Sequence, residues 1–262
     1  MGISAIVKKF SMVTGGAAFI ALGVVGFPAT AITLNQGYDP GLESGQSRPN
    51  SNSAAAAFDS VAAILGSVNV LDFENLTTGI YSTLSIAPGV TATWLNPNSS
   101  AQSVSNGTYS LLGHNTTSGG SKFLSVGPDN PFNPVSLTFS FENPIQAWGA
   151  YFTGVQGIRG KYFVEFTDGS SQSLSLAEND YGGVQFLGFT SAGKSISSIT
   201  IAGQADSSGY MGDIIGLDDM RYVFAPSEPT QSVPEPASVL SLLVFGAVSA
   251  SSMLKRKQET KA

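Results

Sequence analysis

The sequence predicts an all-β fold, an antiparallel β-sandwich over residues 70–225 preceded by one short helix. Three observations carry this. Val135, Leu137, Phe139 and Phe141 alternate with Ser136, Thr138 and Ser140, the two-residue period of a half-buried strand. Asp168-Gly169 separates two further strand-like stretches and supplies the positive φ that a tight hairpin turn needs. Between its apolar ends the chain is rich in Gly, Ser, Thr and Asn, and charged residues make up only 11% of its 262 residues. Roughly 25% is usual, and such a composition suits strands and turns better than helices.

The N-terminal end reads as an export signal. Lys8 and Lys9 precede an apolar run from Phe10 to Phe27, followed by Pro28-Ala29-Thr30-Ala31. A basic start, an apolar middle and small residues at the end are the parts of a secretory signal peptide. Ala29 and Ala31 offer the small side chains that signal peptidase accommodates, so residues 1–31 form the signal and Ile32 is the expected mature N-terminus. Pro28 and the Ala-x-Ala spacing are what an uncleaved anchor would lack.

Residues 32–69 read as a flexible leader, polar and Gly/Pro-rich to residue 52, and then a short helix. Ser53 is the expected N-cap, Phe58, Val61, Ile64 and Leu65 fall at helical spacing, and Gly66 is the expected stop. Its apolar stripe is expected to pack on the following domain. Early strands are expected at 70–74, 80–86, 90–95 and 108–112. A strand over 135–141 and another over 145–152 are expected to be joined by a turn at Asn143-Pro144. Residues 161–167 and 170–176 form the Asp-Gly hairpin, and strands over 184–189, 196–202 and 217–224 close the set. About ten short strands with Gly/Asn/Ser turns fit two antiparallel sheets packed face to face.

The C-terminal end has three parts. Residues 226–236 are proline-rich, which forbids regular structure and favours an extended, accessible linker. Residues 237–254 carry no charge, and Lys255-Arg256-Lys257 opens the basic tail, 255–262. About 18 apolar residues can cross a hydrocarbon core, and flanking cations stay on the cytoplasmic side. The expected arrangement is a single transmembrane helix with the sandwich outside.

Several functions are excluded. A net charge of −6 with only 12 basic residues argues against a nucleic-acid partner. The absence of cysteine removes disulfides, thiol nucleophiles and cysteinyl metal sites. His114, the single histidine, offers no His-rich zinc centre and no Ser–His–Asp arrangement; in a loop it is expected to be exposed. Asn115-Thr116-Thr117 is one of four N-glycosylation patterns, read as loop composition.

Val233-Pro234-Glu235-Pro236-Ala237-Ser238, the apolar segment and the basic cluster together resemble the PEP-CTERM sorting signal. The resemblance covers about the last 30 residues. It implies recognition by an exosortase, a membrane-embedded cysteine protease or transpeptidase. Processing near Pro234-Glu235-Pro236 would then deliver the chain to the cell surface or an extracellular polysaccharide matrix, where it is membrane-anchored until cleaved. The tail is an address, not an activity.

The middle of the chain loosely resembles the jelly-roll modules of carbohydrate-binding proteins. The matching pieces are Asp72-Phe73-Glu74, Gln185-Phe186-Leu187-Gly188-Phe189 and Gly216-Leu217-Asp218-Asp219-Met220-Arg221. By the two-residue period Asp218 shares a face with Met220, Tyr222 and Phe224, and a carboxylate there is costly unless paired or metal-bound. Calcium takes such hard oxygen ligands. In the modules resembled, first- and last-strand carboxylates share a structural calcium. That role would fall on Glu74 and Asp218, with Asp72 and Asp219 as helpers. Solvated acids or loop hydrogen bonds are the competing reading.

Sugar recognition uses aromatic platforms, and Tyr181 and Tyr210, in Gly-rich loops, are the candidates, whereas Trp148 lies in an apolar strand and reads as core. The function expected is a non-catalytic, carbohydrate-binding surface or matrix protein. A carbohydrate-active enzyme using two carboxylates, or a purely structural surface protein, are the alternatives.

Overall fold

The computed structural model describes residues 32–41, 44–97, 103–107, 113–127, 135–155, 160–176, 183–191, 193–203 and 214–226, with backbone alone at 160–165, 175 and 202–203. The predicted signal, the linker beyond 226, the apolar segment and the strand at 108–112 lie outside these residues. Among the described residues no helix is long and apolar enough to cross a membrane.

The fold is antiparallel β with one helix. In chain order the elements are β1 (Ile32–Asp39), α1 (Pro49–Leu65), β2 (Asn69–Leu71), β3 (Thr83–Ala87), β4 (Val90–Leu95), β5 (Val104–Ser105), β6 (Phe123–Val126), β7 (Val135–Thr153), β8 (Gly160–Phe166), β9 (Ser171–Ser175), β10 (Val184–Ser191), β11 (Ile196–Gly203) and β12 (Ile215–Phe224).

β7 organises the molecule. Its first half pairs with β4 on one side and β11 on the other. Its second half pairs with β10 and β12. A straight strand would hold Phe139 and Trp148 about 30 Å apart, at ~3.3 Å per residue. Their ring centroids lie 6.1 Å apart, so β7 bends and its halves face each other. The first layer runs β3-β4-β7-β11-β8-β9; the second runs β1-β10-β7-β12, with β2 and β6 both on β12 and β5 beyond β6. Sequence predicts two strands joined by a turn at Asn143-Pro144. One continuous strand replaces them, and the irregularity shows as register shifts opposite Ile196 and Ser198 of β11 and opposite Val223 and Phe224 of β12.

Leu137, Phe139, Trp148, Phe152, Leu187, Phe189 and Ile199 are fully buried between the layers. Trp148 is thus core, as expected. The outer face of the second layer is also covered. Ala147, Tyr151, Val184, Phe186 and Val223 pack beneath Ala54, Ala55, Phe58 and Ala62 of α1. Gly149 and Gly188 are cross-strand partners on that face. A Cβ on Gly188 would come within 2.6 Å of the Phe58 ring, so the missing side chain makes the seat for the helix.

Three expectations about the start of the domain are corrected. Residues 32–39 are not a flexible leader: they pair along their length with β10. The sandwich domain therefore includes residues from Ile32 onward and does not start at 70. Nor does the helix start at Ser53. It begins at Pro49, whose fixed φ and missing N–H suit the first helical position, and Ser53 Oγ bonds back to the Pro49 carbonyl. The cap comes from β1: Asp39 accepts from the Asn50 and Ser51 N–H groups at 3.1 and 2.8 Å and from Ser51 Oγ at 2.7 Å. Gly66 does end the helix, its N–H bonding to the Ala62 carbonyl, and the helix does pack on the sandwich. Ile64, however, is 83% exposed; the buried stripe runs through Ala54, Phe58 and Ala62 instead.

Candidate functional site

β12 does not keep the alternation its sequence suggests. Asp219 has φ of +46°, and the register with β7 shifts between Asp218 and Arg221. Leu217 faces the core on one side of this bulge, and Met220 and Tyr222 face it on the other. Asp218 consequently does not share the face of Met220 and Tyr222. It stands on the outer face, cross-strand from Tyr151, beneath the loop at 113–122.

That loop is held by two carboxylates. Asp218 Oδ2 accepts from the Thr116 N–H at 2.6 Å, the Thr117 N–H at 3.1 Å, Thr116 Oγ1 at 3.1 Å and Asn115 Nδ2 at 3.1 Å. Its Oδ1 accepts from the Asp219 N–H at 2.7 Å. Glu74 Oε1 accepts from Asn115 Nδ2 and from the Ser121 and Lys122 N–H groups, at 2.8–2.9 Å. Asn115 thus bridges the two acids. Asp219 accepts from the Thr116 and Thr117 hydroxyls, both at 2.9 Å, and Asp72 accepts from the Glu74 N–H at 3.2 Å.

Of the four acids named from the sequence, Glu74 and Asp218 are joined through Asn115, and Asp218 and Asp219 through the Thr116 and Thr117 hydroxyls, while Asp72 bonds the nearby Glu74 N–H. Asp218 Oδ2 and Glu74 Oε1 each already accept from three or more donors, which uses up the lone pairs a shared cation would need. The fit to a shared calcium is therefore poor. Among the described residues no group of three or more Asp, Glu or His could hold a metal ion.

Burial, followed by the neighbouring Asp219 carboxylate, pushes the Asp218 carboxyl up to about 7, against the opposing pull of the N–H donors. His114 is corrected from exposed to buried, at 1% exposure. Its backbone exchanges two hydrogen bonds with Thr153 Oγ1, while neither ring nitrogen finds a partner. Burial, and secondarily the Arg48 charge, lowers its pKa to about 4.

A cleft of about 410 Å³ lies between this loop and the segment leading into α1. Ser44, Gly45, Gln46, Ser47, Arg48 and Asn52 line one side, and residues 115–120 the other. Arg48 joins the walls. Its Nε donates to Asn52 Oδ1 at 3.1 Å, and Nη2 donates to the Thr116 carbonyl. Its guanidinium lies 4.8 Å from the Tyr151 ring centroid, and the Tyr151 hydroxyl donates to Asn52 Oδ1 at 2.9 Å. Burial raises the Tyr151 pKa, so the hydroxyl stays protonated.

Sequence reasoning missed this cleft. Its walls come from segments some 70 residues apart, and Arg48 sits in a stretch read as leader. The nearest signal was Asn115-Thr116-Thr117, noted as a glycosylation pattern. The structure gives those residues another use, since Asn115 is buried with its amide committed. Tyr181 and Tyr210, Ala29 and Ala31, and Val233, Pro234, Glu235 and Pro236 lie outside the described residues.

No family model matches the chain, and no curated protein matches it. Among solved structures, a point mutant of CBM29-2, from work on ligand recognition by family 29 carbohydrate binding modules, superposes with a TM-score of 0.35 at 9% identity, covering 60% of this chain and 91% of that one. A second mutant of that module gives 0.35 at 10%, covering 63% and 99%. TmCBM61 in complex with β-1,4-galactotriose gives 0.30 at 16%, covering 60% and 95%.

Proposed function

We propose that the chain is an exported, exosortase-sorted protein of the cell surface or extracellular matrix, whose sandwich holds a polysaccharide without chemically altering it. The observation that carries the binding reading is the lining of the cleft: hydroxyls, amides, glycine backbone and one guanidinium. Sugars present rings of hydroxyls, and planar amide and guanidinium groups are their natural hydrogen-bonding partners. The export and sorting readings rest on the two terminal sequences.

The glycosidase alternative finds less support. It needs two carboxyl groups that reach the substrate, about 5–10 Å apart. Asp218 has the raised pKa of a general acid, but it is 0% exposed and its oxygens are committed to the loop.

A glycan array probed with the full-length chain tests the reading. Ser118→Trp places a bulky side chain at an exposed position on the cleft wall. The wild-type chain is expected to bind a set of glycans, and Ser118→Trp is expected to lose them with an unchanged melting temperature. Binding unaffected by Ser118→Trp would remove the cleft from the account.

A further inference from the structure

Among the described residues, Arg48 is the one ionisable residue lining the cleft, and none of them gives it a carboxylate partner. The other arginine beside Tyr151 differs in this. Arg221, 5.3 Å from the same ring centroid, is paired with Asp59 at 3.1 Å. Half-buried cations are ordinarily matched by an anion, because desolvation without one is costly. Asp219 of β12, which meets the same loop, is committed to the Thr116 and Thr117 hydroxyls.

A guanidinium carries five N–H donors. Asn52 and the Thr116 carbonyl engage two of them. Three remain, enough for the two parallel bonds of a bidentate carboxylate contact. The Tyr151 ring and the bond to Thr116 fix the plane of the guanidinium, so little side-chain freedom is left to lose on binding. The chain as a whole carries −6, so bulk charge disfavours an anionic ligand; a local, preorganised cation is what would select one.

Resting on the polysaccharide reading above, we infer that the cleft is specific for an acidic glycan, with Arg48 taking a carboxylate of a uronic-acid residue. The hydroxyl and amide groups on either wall bind the rest of the sugar.

The test is affinity electrophoresis of the full-length chain through gels containing polygalacturonate or its fully methyl-esterified form. The two polymers share a backbone and differ in charge. Polygalacturonate is expected to retard the wild-type chain with about tenfold higher affinity, the scale of one charge-assisted contact. That preference should weaken with added salt. Arg48→Gln should abolish it and Arg48→Lys should restore part of it. Ser118→Trp, which leaves Arg48 intact, should lose both polymers. Melting temperatures establish that each variant is folded.

Equal retardation by both polymers, or an acid preference that survives in folded Arg48→Gln, would overturn the inference while leaving a neutral-glycan cleft standing. Retardation by neither polymer, with neutral glycans bound on the array, would also overturn it. No glycan bound in either assay would instead be the failure of the polysaccharide reading itself.

Discussion

Asp218 lies beneath the 113–122 loop and His114 lies within it, and the two titrate in opposite senses. The folded Asp218 carboxyl is raised to about 7 from an ordinary 3.8. The folded state therefore holds its proton between those values while the unfolded chain has lost it, and stability falls as pH rises through that window. His114 is lowered to about 4 from 6.5, so the unfolded chain binds the proton first, and stability falls as pH drops below 6.5. Between pH 5 and 6.5 the two slopes oppose each other, each worth about 2 kcal/mol across the interval. Urea unfolding of the wild-type chain should accordingly vary little there. Asp218→Asn should become more stable with rising pH, and His114→Gln less stable. Parallel profiles in both variants would show that these groups are not the ones titrating. Sequence alone pointed to a costly Asp218 but misplaced it, because Asp219 only weakly signals the positive φ it adopts, far less than glycine would. It gave no hint of a buried His114, since Gly113 and the polar Asn115-Thr116-Thr117 around it read as an exposed loop.

At the scale of elements, α1 is the part that sequence read best in kind and worst in attachment. Its Ala-rich stretch and Gly66 stop are local properties and were legible. Its cap is not local: Asp39 reaches Asn50 and Ser51 from the end of β1. Asp39→Ala should cost about 1–2 kcal/mol in urea unfolding, while Ser53→Ala, at the cap position expected from sequence, should cost clearly less. Gly188→Ala should lower stability by about 1–3 kcal/mol, because its Cβ would press on the Phe58 and Phe186 rings. β1 escaped notice for a related reason. Its buried positions include Asn35 and Asp39, and polar residues in buried places erase the alternation by which a strand is recognised. β4, the Asp-Gly hairpin of β8 and β9, and the first half of β7 keep that alternation or turn chemistry and were readable. The bend of β7 was not, because Asn143-Pro144 reads as a chain-reversing turn whether or not pairing continues through it.

For the whole molecule, the proposed function makes the two termini an address and the sandwich the cargo, and each part makes its own prediction. If the Glu74–Asn115–Asp218 bridge is complete without an ion, calcium added after chelation should leave the melting temperature unchanged. A hundredfold excess over a real dissociation constant would instead stabilise the fold by about 2.7 kcal/mol. Replacing Pro234-Glu235-Pro236 with alanines should block processing while leaving membrane insertion intact, because the apolar segment is untouched; release equal to wild type would point to a generic protease. The central claim joins delivery to binding, and one fractionation tests both. The chain would be expressed in a cell with its own exosortase, and the mature protein identified by mass spectrometry in membrane, matrix and medium. The wild-type chain should begin at Ile32, lack its apolar tail and be retained in the polysaccharide matrix. Ser118→Trp should be processed identically but appear in the medium. Wild-type and Ser118→Trp chains retained alike, or a mature chain still carrying Met1 and its tail, would contradict the account.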